Sequence, residues 1–168
     1  MNKRWLTALV GAAALAGGLM IGTQSGIVPS TTPYPLAGQT FESPSGGTLD
    51  LGALKGKIVV LNFWGTWCPP CVEEMPELNA LYPELQGKGI ELIGLAIDSP
   101  SNVREFLQKT PVNYPILLAG LNGSELAKRL GNAQGGLPYT VILDGNGQQI
   151  LAKAGRIHMD EIKSAIRQ

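Results

Sequence analysis

Two nearly continuous apolar runs stand out in the hydrophobic pattern of the chain, at residues 57–64 and 90–97. Both contain β-branched side chains, which is typical of strands buried on both faces of a parallel sheet. Between them, apolar residues recur every three or four positions from Cys71 to Leu85 and predict an amphipathic helix over residues 70–85. The chain therefore passes from a buried strand, through a short turn, into a long helix.

Shorter patterns predict the other elements of the fold. They are a hairpin at 39–43 and 47–50, a helical turn at 51–54, helices at 101–109 and 124–130, a strand at 114–118, a hairpin at 137–144 and 148–154, and a helix at 159–167. Ser124 is expected to cap its helix, and residues 145–147 (GNG) to turn the second hairpin. This order predicts an α/β protein whose central mixed β-sheet is flanked by helices on both faces.

The N-terminal region differs in composition from the rest of the chain. Lys3 and Arg4 precede a long uncharged stretch that is apolar or small in character. Residues 1–22 fit either a cleaved signal peptide or a retained membrane anchor whose basic end stays in the cytoplasm. Both hypotheses place the domain, residues 36–168, outside the cytoplasm. Residues 23–35, rich in Ser, Thr, Gly and Pro, are expected to form a flexible tether.

Composition excludes several classes of function. The 13 basic and 13 acidic residues cancel, so a nucleic-acid partner is not expected. The metal-ligating residues are also few. A closed zinc site needs four ligands, whereas the chain offers Cys68, Cys71 and, far along the sequence, His158. Covalent haem attachment requires histidine directly after the second cysteine, where Val72 stands. We therefore expect no metal site and no haem.

The two cysteines lie in residues 67–71 (WCPPC), at the point where the buried strand meets the long helix. A structural disulfide is one interpretation, but closing so short a loop stabilises a fold very little. Reversible redox exchange is the favoured interpretation. Cys68, at the positive end of the helix, is expected to be the attacking thiolate. Cys71, one turn further on, is expected to be more buried and to act as the resolving thiol.

Three segments together resemble a known family. Residues 62–71 (NFWGTWCPPC), 74–76 (EMP) and 136–140 (GLPYT) are similar to the thioredoxin-like proteins, and in particular to the extracytoplasmic TlpA/ResA/CcmG branch of thiol–disulfide oxidoreductases. The resemblance covers roughly residues 36–166. It implies a thioredoxin fold with an N-terminal hairpin, in which the strand and helix at 114–130 form a central insert.

Glu74 has two interpretations. As a first-turn acid it would simply interact favourably with the helix dipole, which is our interpretation of Glu73. The resemblance instead implies a catalytic carboxylate that raises the thiol pKa values and takes the proton of Cys71. Thioredoxin itself has a buried Asp at the position of Asn62. Because an amide cannot ionise, that role would pass to Glu74 or to water, and Asn62 would be a satisfied buried amide.

The expected substrate-binding residues are Trp67, Pro69, Pro70, Leu137 and Pro138. Trp67 is expected at the rim of the site, although a tryptophan here could also belong to the core. Pro138 could be an ordinary strand-start proline. The resemblance implies instead a cis Leu137–Pro138 bond beside the disulfide, with the Leu137 backbone free to pair with an extended substrate. Pro69 and Pro70 lack backbone N–H groups, which leaves the Cys68 thiolate less stabilised and favours a reductant.

The resemblance implies an enzyme that reduces disulfides in extracytoplasmic proteins, with no cofactor besides the Cys68–Cys71 disulfide. Its implied electron donor is a membrane thiol transporter of the DsbD or CcdA kind, and its candidate substrates are apocytochrome c or copper-site assembly proteins. We expect a monomer. Two alternatives use the same thiols: a disulfide-forming oxidant, which differs in reduction potential, and a Cu(I) carrier, since soft thiolates suit Cu(I).

Overall fold

Seven strands and four α-helices make up residues 33–167, which are the residues that the computed structural model describes. The strands are β1 (Thr40–Glu42), β2 (Thr48–Asp50), β3 (Val59–Trp64), β4 (Glu91–Ala96), β5 (Ile116–Leu118), β6 (Tyr139–Leu143) and β7 (Gln149–Ala154). The helices are α1 (Pro69–Gly87), α2 (Pro100–Lys109), α3 (Gly120–Arg129) and α4 (Met159–Ala165), with a 3-10 helix at Leu51–Leu54. The predicted sequence of elements is confirmed.

All seven strands belong to one mixed sheet, in the order β2-β1-β5-β4-β3-β6-β7. Strands β3, β4 and β5 are parallel, whereas β6 runs antiparallel to β3. The carboxyl ends of the three parallel strands therefore share one edge. Because Phe63 pairs with Tyr139, the first residue of β6 lies at that same edge. The N-terminal hairpin joins the sheet where Glu42 pairs with Leu118.

The two faces of the sheet are covered by two hydrophobic clusters, which explains why every residue of β3 is buried. Side chains alternate along a strand. Val60 and Trp64 belong to the disulfide-side cluster, which also contains Cys68, Cys71 and apolar residues of α1, α2 and α4. Leu61 and its alternate neighbours belong to the opposite cluster, which contains residues of α3. Asn62 therefore lies on the α1 side of the sheet.

Helix α3 departs from its prediction. It begins at Gly120, four residues before the expected start, and Ser124 lies inside it rather than capping it. Its first turn has a single large apolar side chain, Leu121, which is 85% exposed and does not mark the buried face. The helix instead approaches Ile97, the residue that follows β4, through Gly123, where an added Cβ would lie 3.5 Å from Ile97 Cγ1. Because glycine has no side chain, close packing at Gly123 adds no apolar residue to the sequence pattern.

The predicted leader, residues 1–22, lies outside the described residues, as does most of the tether at 23–35. Tyr34, at the end of the tether, packs against the opposite cluster. The domain boundary at residue 36 stays a prediction. Within residues 33–167, no helix combines the length and the apolar character needed to cross a bilayer.

Candidate active site

A disulfide joins Cys68 and Cys71 at the start of α1. Cys68 is the N-cap residue, and its Sγ accepts the backbone N–H of Cys71 at 3.3 Å. Pro69 and Pro70 occupy the first helical positions, where a backbone N–H has no intrahelical partner in any case. Since neither proline has an N–H, Cys71 is the first helical residue that can donate to Cys68. Cys68 keeps 4% of its surface exposed and Cys71 none, so the expected difference in burial is confirmed.

Trp67 forms an exposed rim beside the disulfide. Its side chain is 63% exposed, and its Nε1 donates to the carbonyl of Ile97 at 3.4 Å. The indole lies against Gly65, where an added Cβ would come within 2.8 Å of Nε1. Glycine at this position therefore leaves room for the indole ring. Pro69 and Pro70 are exposed next to it, as expected, whereas Trp64 is fully buried.

Asp98 fixes the turn between β3 and the cysteines, and the sequence analysis did not identify it. Its Oδ2 accepts the backbone N–H of Thr66 at 3.0 Å and also the Thr66 hydroxyl. Burial acts to raise the pKa of Asp98, but hydrogen bonds from Thr66, Asn102 and Ser99 lower it overall. The predicted parallel pairing of β3 and β4 could have identified Asp98. Asp98 follows β4 as Thr66 follows β3, and adjacent parallel strands end at one edge.

The Leu137–Pro138 peptide bond is cis, as the resemblance implied. The pairing of Phe63 with Tyr139 places Pro138 level with Trp64, at the edge where the cysteine motif begins. Pro138 is buried, and half-buried Leu137 packs against the cluster that contains both cysteines. The fold therefore brings this proline loop to the edge of the sheet where the cysteine motif begins, although the two segments lie about 70 positions apart in the sequence.

Glu74 is fully buried in α1, three residues after Cys71. Its Oε1 accepts Asn62 Nδ2 at 2.6 Å, and its Oε2 accepts the backbone N–H of Ile157 at 2.9 Å. Burial raises the pKa of Glu74 above its ordinary value, although the two hydrogen bonds and the charge of Arg156 act to lower it. The interpretation of Glu74 as a first-turn acid is wrong, because α1 has no acidic residue in its first turn. A fully buried acid one turn from a cysteine pair is instead in an environment where proton transfer is chemically possible.

The polar groups around Glu74 are only partly satisfied. Asn62 Nδ2 also donates to Thr140 Oγ1 at 3.1 Å, but Asn62 Oδ1 is buried without a hydrogen-bond partner among the described residues. The expectation of a satisfied amide thus holds for its nitrogen and fails for its oxygen. Burial, followed by the charge of Glu74, raises the pKa of Tyr114, whose hydroxyl also lacks a partner within residues 33–167. A polar cluster therefore lies beneath the disulfide.

On the solvent side of Glu74, Arg156 bridges two other acids of α1. Its guanidinium contacts Glu73 Oε2 at 3.1 Å and Glu77 Oε1 at 2.6 Å. Glu73 was expected to be a first-turn acid that interacts with the helix dipole, but α1 has no acidic residue in its first turn, and Glu73 is instead part of an ion pair. His158 is exposed, and its Nδ1 lies 3.7 Å from Glu77 Oε2. No local signal identifies Arg156, because its partners lie about 80 positions earlier in the chain.

Disulfide exchange is the chemistry that this arrangement serves, and the class it defines is the thioredoxin-like thiol–disulfide oxidoreductases. Residues 36–150 match the AhpC/TSA family, and the chain belongs to that family. The chain is 34% identical over 123 residues to the thiol-disulfide oxidoreductase ResA of Bacillus thuringiensis subsp. konkukian, an alignment that covers 73% of this chain and 69% of that protein. The resemblance to the TlpA/ResA/CcmG branch is confirmed.

Solved structures show the same fold. A thioredoxin-related protein from Neisseria meningitidis serogroup B superposes with a TM-score of 0.67 at 30% identity, covering 77% of this chain and 96% of that one. DsbF of MTB, solved in mixed oxidised and reduced forms, superposes with a TM-score of 0.68 at 26% identity, covering 80% and 96%. The thioredoxin fold is confirmed, and the chain is an enzyme, a thiol–disulfide oxidoreductase.

Proposed function

We propose that this oxidoreductase is a reductant of protein disulfides. The observation that carries the proposal is the fully buried carboxyl of Glu74, one helical turn beyond Cys71. A negative charge at this position disfavours a second negative charge on a neighbouring sulfur. A poorly stabilised thiolate leaves the reduced enzyme poorly stabilised, and its reduction potential falls accordingly. Such an enzyme gives its electrons readily to other disulfides.

The two prolines act in the same direction. At the start of a helix, free backbone amides stabilise an anion. Pro69 and Pro70 provide no N–H there, so the Cys71 amide at 3.3 Å is the first that can reach Cys68 Sγ. The thiolate of Cys68 therefore depends on few donors. This scarcity of donors and the acid below the disulfide both favour the oxidised form of the enzyme.

The catalytic cycle moves two electrons and two protons. The Cys68 thiolate attacks one sulfur of the substrate disulfide, and the other substrate sulfur leaves and takes up a proton. The Cys71 thiolate then attacks Cys68 Sγ and releases the second substrate sulfur, which also takes up a proton. The enzyme ends as the Cys68–Cys71 disulfide and the substrate as a dithiol. Glu74, one turn from Cys71 and buried, is the acceptor for the Cys71 proton.

Exposed side chains of the cysteine motif and the backbone of the proline loop would bind the substrate. Trp67, Pro69 and Pro70 form the apolar rim, and Leu137 with Pro138 lies at the same edge of the sheet. An extended substrate segment would pair with the Leu137 backbone, as in strand addition. Because Cys68 alone keeps exposed surface, the first substrate sulfur must approach from this rim. No cofactor beyond the cysteine pair is required for such an exchange.

We place this activity outside the cytoplasm, with residues 1–22 as signal or membrane anchor. In an oxidising space a dithiol is consumed, so the enzyme needs electrons from within the cell. A membrane thiol transporter of the DsbD or CcdA kind would supply them. Apocytochrome c and copper-site assembly proteins are candidate substrates, because both need reduced cysteines. The basic and then apolar composition of the leader supports this placement.

The reduction potential tests the direction of electron flow. Equilibrium with glutathione redox buffers, followed by alkylation of free thiols, should give a value near that of thioredoxin, about −270 mV. The prolines and Glu74 are the physical reason, since each destabilises the thiolate form. A value near about −120 mV would instead identify the disulfide-forming oxidant.

Pro70→Ala tests whether the prolines lower the reduction potential. It restores one backbone N–H in the first turn of α1 while keeping both cysteines. A hydrogen bond to a charged group is worth about 1.5–3 kcal/mol, and 1.4 kcal/mol corresponds to about 30 mV for this couple. We therefore expect the potential to become less negative by roughly 30–60 mV. An unchanged or more negative potential would contradict the role given to the prolines.

Glu74→Gln tests the buried carboxyl. Removing a neighbouring negative charge should let the Cys68 thiol ionise at lower pH and raise its thiolate fraction at neutral pH by about tenfold. The rate of Cys68 alkylation as a function of pH in the reduced enzyme measures this. Glu84→Gln is the control, since it removes an exposed charge from the same helix. Identical pH profiles for the two variants would remove Glu74 from the mechanism.

A further inference from the structure

The segment between β7 and α4 reaches both parts of the site. Gly155 N–H donates to the carbonyl of Pro138 at 2.8 Å, and Ile157 N–H donates to Glu74 Oε2 at 2.9 Å. Gly155 has a φ of +84°, a conformation that other residues adopt only with strain. Ile157 is itself buried. The hydrogen bond to Glu74 therefore requires that residues 155–157 be held against α1.

Arg156 makes the side-chain contacts that hold this segment. Its two terminal nitrogens bind Glu73 and Glu77, which lie one residue before and three residues after Glu74. A planar guanidinium can bind two carboxylates at once in fixed geometry, which a lysine ammonium cannot do. The Arg156 and Glu77 side chains are 34% and 31% exposed, so solvent screens this contact less than that of a more exposed pair such as Lys109 with Glu105.

The charge of Arg156 also acts on Glu74 itself. It is the positive charge that lowers the pKa of this buried carboxyl, against the larger effect of burial and the opposing charge of Glu77. The other groups around the carboxyl are neutral: Asn62 from β3, Thr140 from β6 and Tyr114 from the segment before β5. His158 faces Glu77 rather than Glu74. Arg156 is thus well placed to tune this acid.

We propose that Arg156 is a positioning residue for Glu74: by binding Glu73 and Glu77 it holds the Ile157 N–H on the buried carboxylate and keeps a positive charge beside it. The importance of this for catalysis rests on the role of Glu74 given above. The effect of Arg156 on the proton affinity of the Glu74 carboxyl does not depend on that catalytic role. Without Arg156 the carboxyl loses an opposite charge and a fixed donor, so it should hold its proton to higher pH.

Arg156→Gln tests this in the oxidised full-length protein. We expect the side-chain carboxyl of Glu74, followed by 13C NMR across a pH series, to bind its proton about tenfold more tightly than in the wild type. The Ile157 amide signal should no longer shift over the same pH range. Arg156→Lys keeps the positive charge but not the planar guanidinium, and its Glu74 proton affinity should lie between those of the wild type and Arg156→Gln. Arg104→Gln is the control, since Arg104 lies in α2 and bonds to the carbonyl of Pro44.

Equal Glu74 titrations in Arg156→Gln and Arg104→Gln would overturn the proposal. If Arg156→Gln does not fold, the double variant Glu73→Gln/Glu77→Gln removes both anchors and leaves the arginine. Its Ile157 amide should exchange with solvent at least about tenfold faster than in the wild type, and unchanged exchange would also overturn the proposal. If Glu74→Gln leaves the pH profile of Cys68 alkylation unchanged while Arg156→Gln shifts the titration of the Glu74 carboxyl, the catalytic role of Glu74 is rejected and the positioning role of Arg156 stands.

Discussion

Cys71→Ala should trap the enzyme in covalent complexes with its substrates, whereas Cys68→Ala should reduce disulfide exchange to the uncatalysed background. Cys68 keeps exposed surface and begins α1, so an incoming substrate sulfur meets it first. Cys71 has no exposed surface and can attack only Cys68. Without the second thiol the mixed disulfide cannot resolve. Insulin reduction with dithiothreitol measures the loss of activity, and non-reducing electrophoresis with mass spectrometry identifies the trapped proteins.

The two variants control for each other, since each removes one thiol from the same turn and neither can form the internal disulfide. Trapped complexes that collect with Cys68→Ala instead of Cys71→Ala would reverse the assignment of the two roles. Activity retained by Cys68→Ala at the wild-type level would show that exchange does not begin at this sulfur. The trapped proteins themselves would decide between apocytochrome c and copper-site assembly proteins as substrates.

The sequence predicted the elements whose apolar residues form a regular local pattern. The continuous apolar run ending at Trp64 predicted a strand covered on both faces, and all six residues of β3 are buried. The period from Cys71 to Leu85 predicted α1 within two residues at each end. The start of α3 was missed because its contact with Ile97, just after β4, is made by Gly123, which has no side chain to mark the buried face.

The residues of the site also differ in whether local sequence could reveal them. The spacing of Cys68 and Cys71, together with the exclusion of zinc and haem sites, pointed to redox exchange, and the family resemblance implied the role of Glu74 one turn further along the helix. The contacts that determine what Glu74 does are not local. Asn62 lies on the strand before the helix, and Ile157 lies 83 positions later. Only the pairing of β3 with its neighbours, and the packing of α1 on that face, bring these groups together.

Asn62→Asp should make the fold strongly sensitive to pH, with about 4 kcal/mol of stability lost by pH 8. The new carboxyl would lie within hydrogen-bond distance of Glu74, whose pKa burial already raises. Two carboxylates that share a site do not readily ionise together, so the pKa of one of them rises strongly, and a loss of about 4 kcal/mol corresponds to a proton bound about a thousandfold more tightly. Because the folded pKa is raised, stability should be complete below about pH 4 and fall as pH rises through the folded value. Urea unfolding at several pH values measures this.

Two further variants make the result specific. Asn122→Asp adds the same charge at an exposed position of α3 and should keep a pH profile close to that of the wild type. Asn62→Asp/Glu74→Gln moves the single acid from the helix to the strand and should recover most of the lost stability. A strong pH dependence that persists in this double variant would mean that the pair is not its cause. Recovery would show that this buried site accepts one acid, and that Asn62 is an amide because Glu74 is a carboxylate.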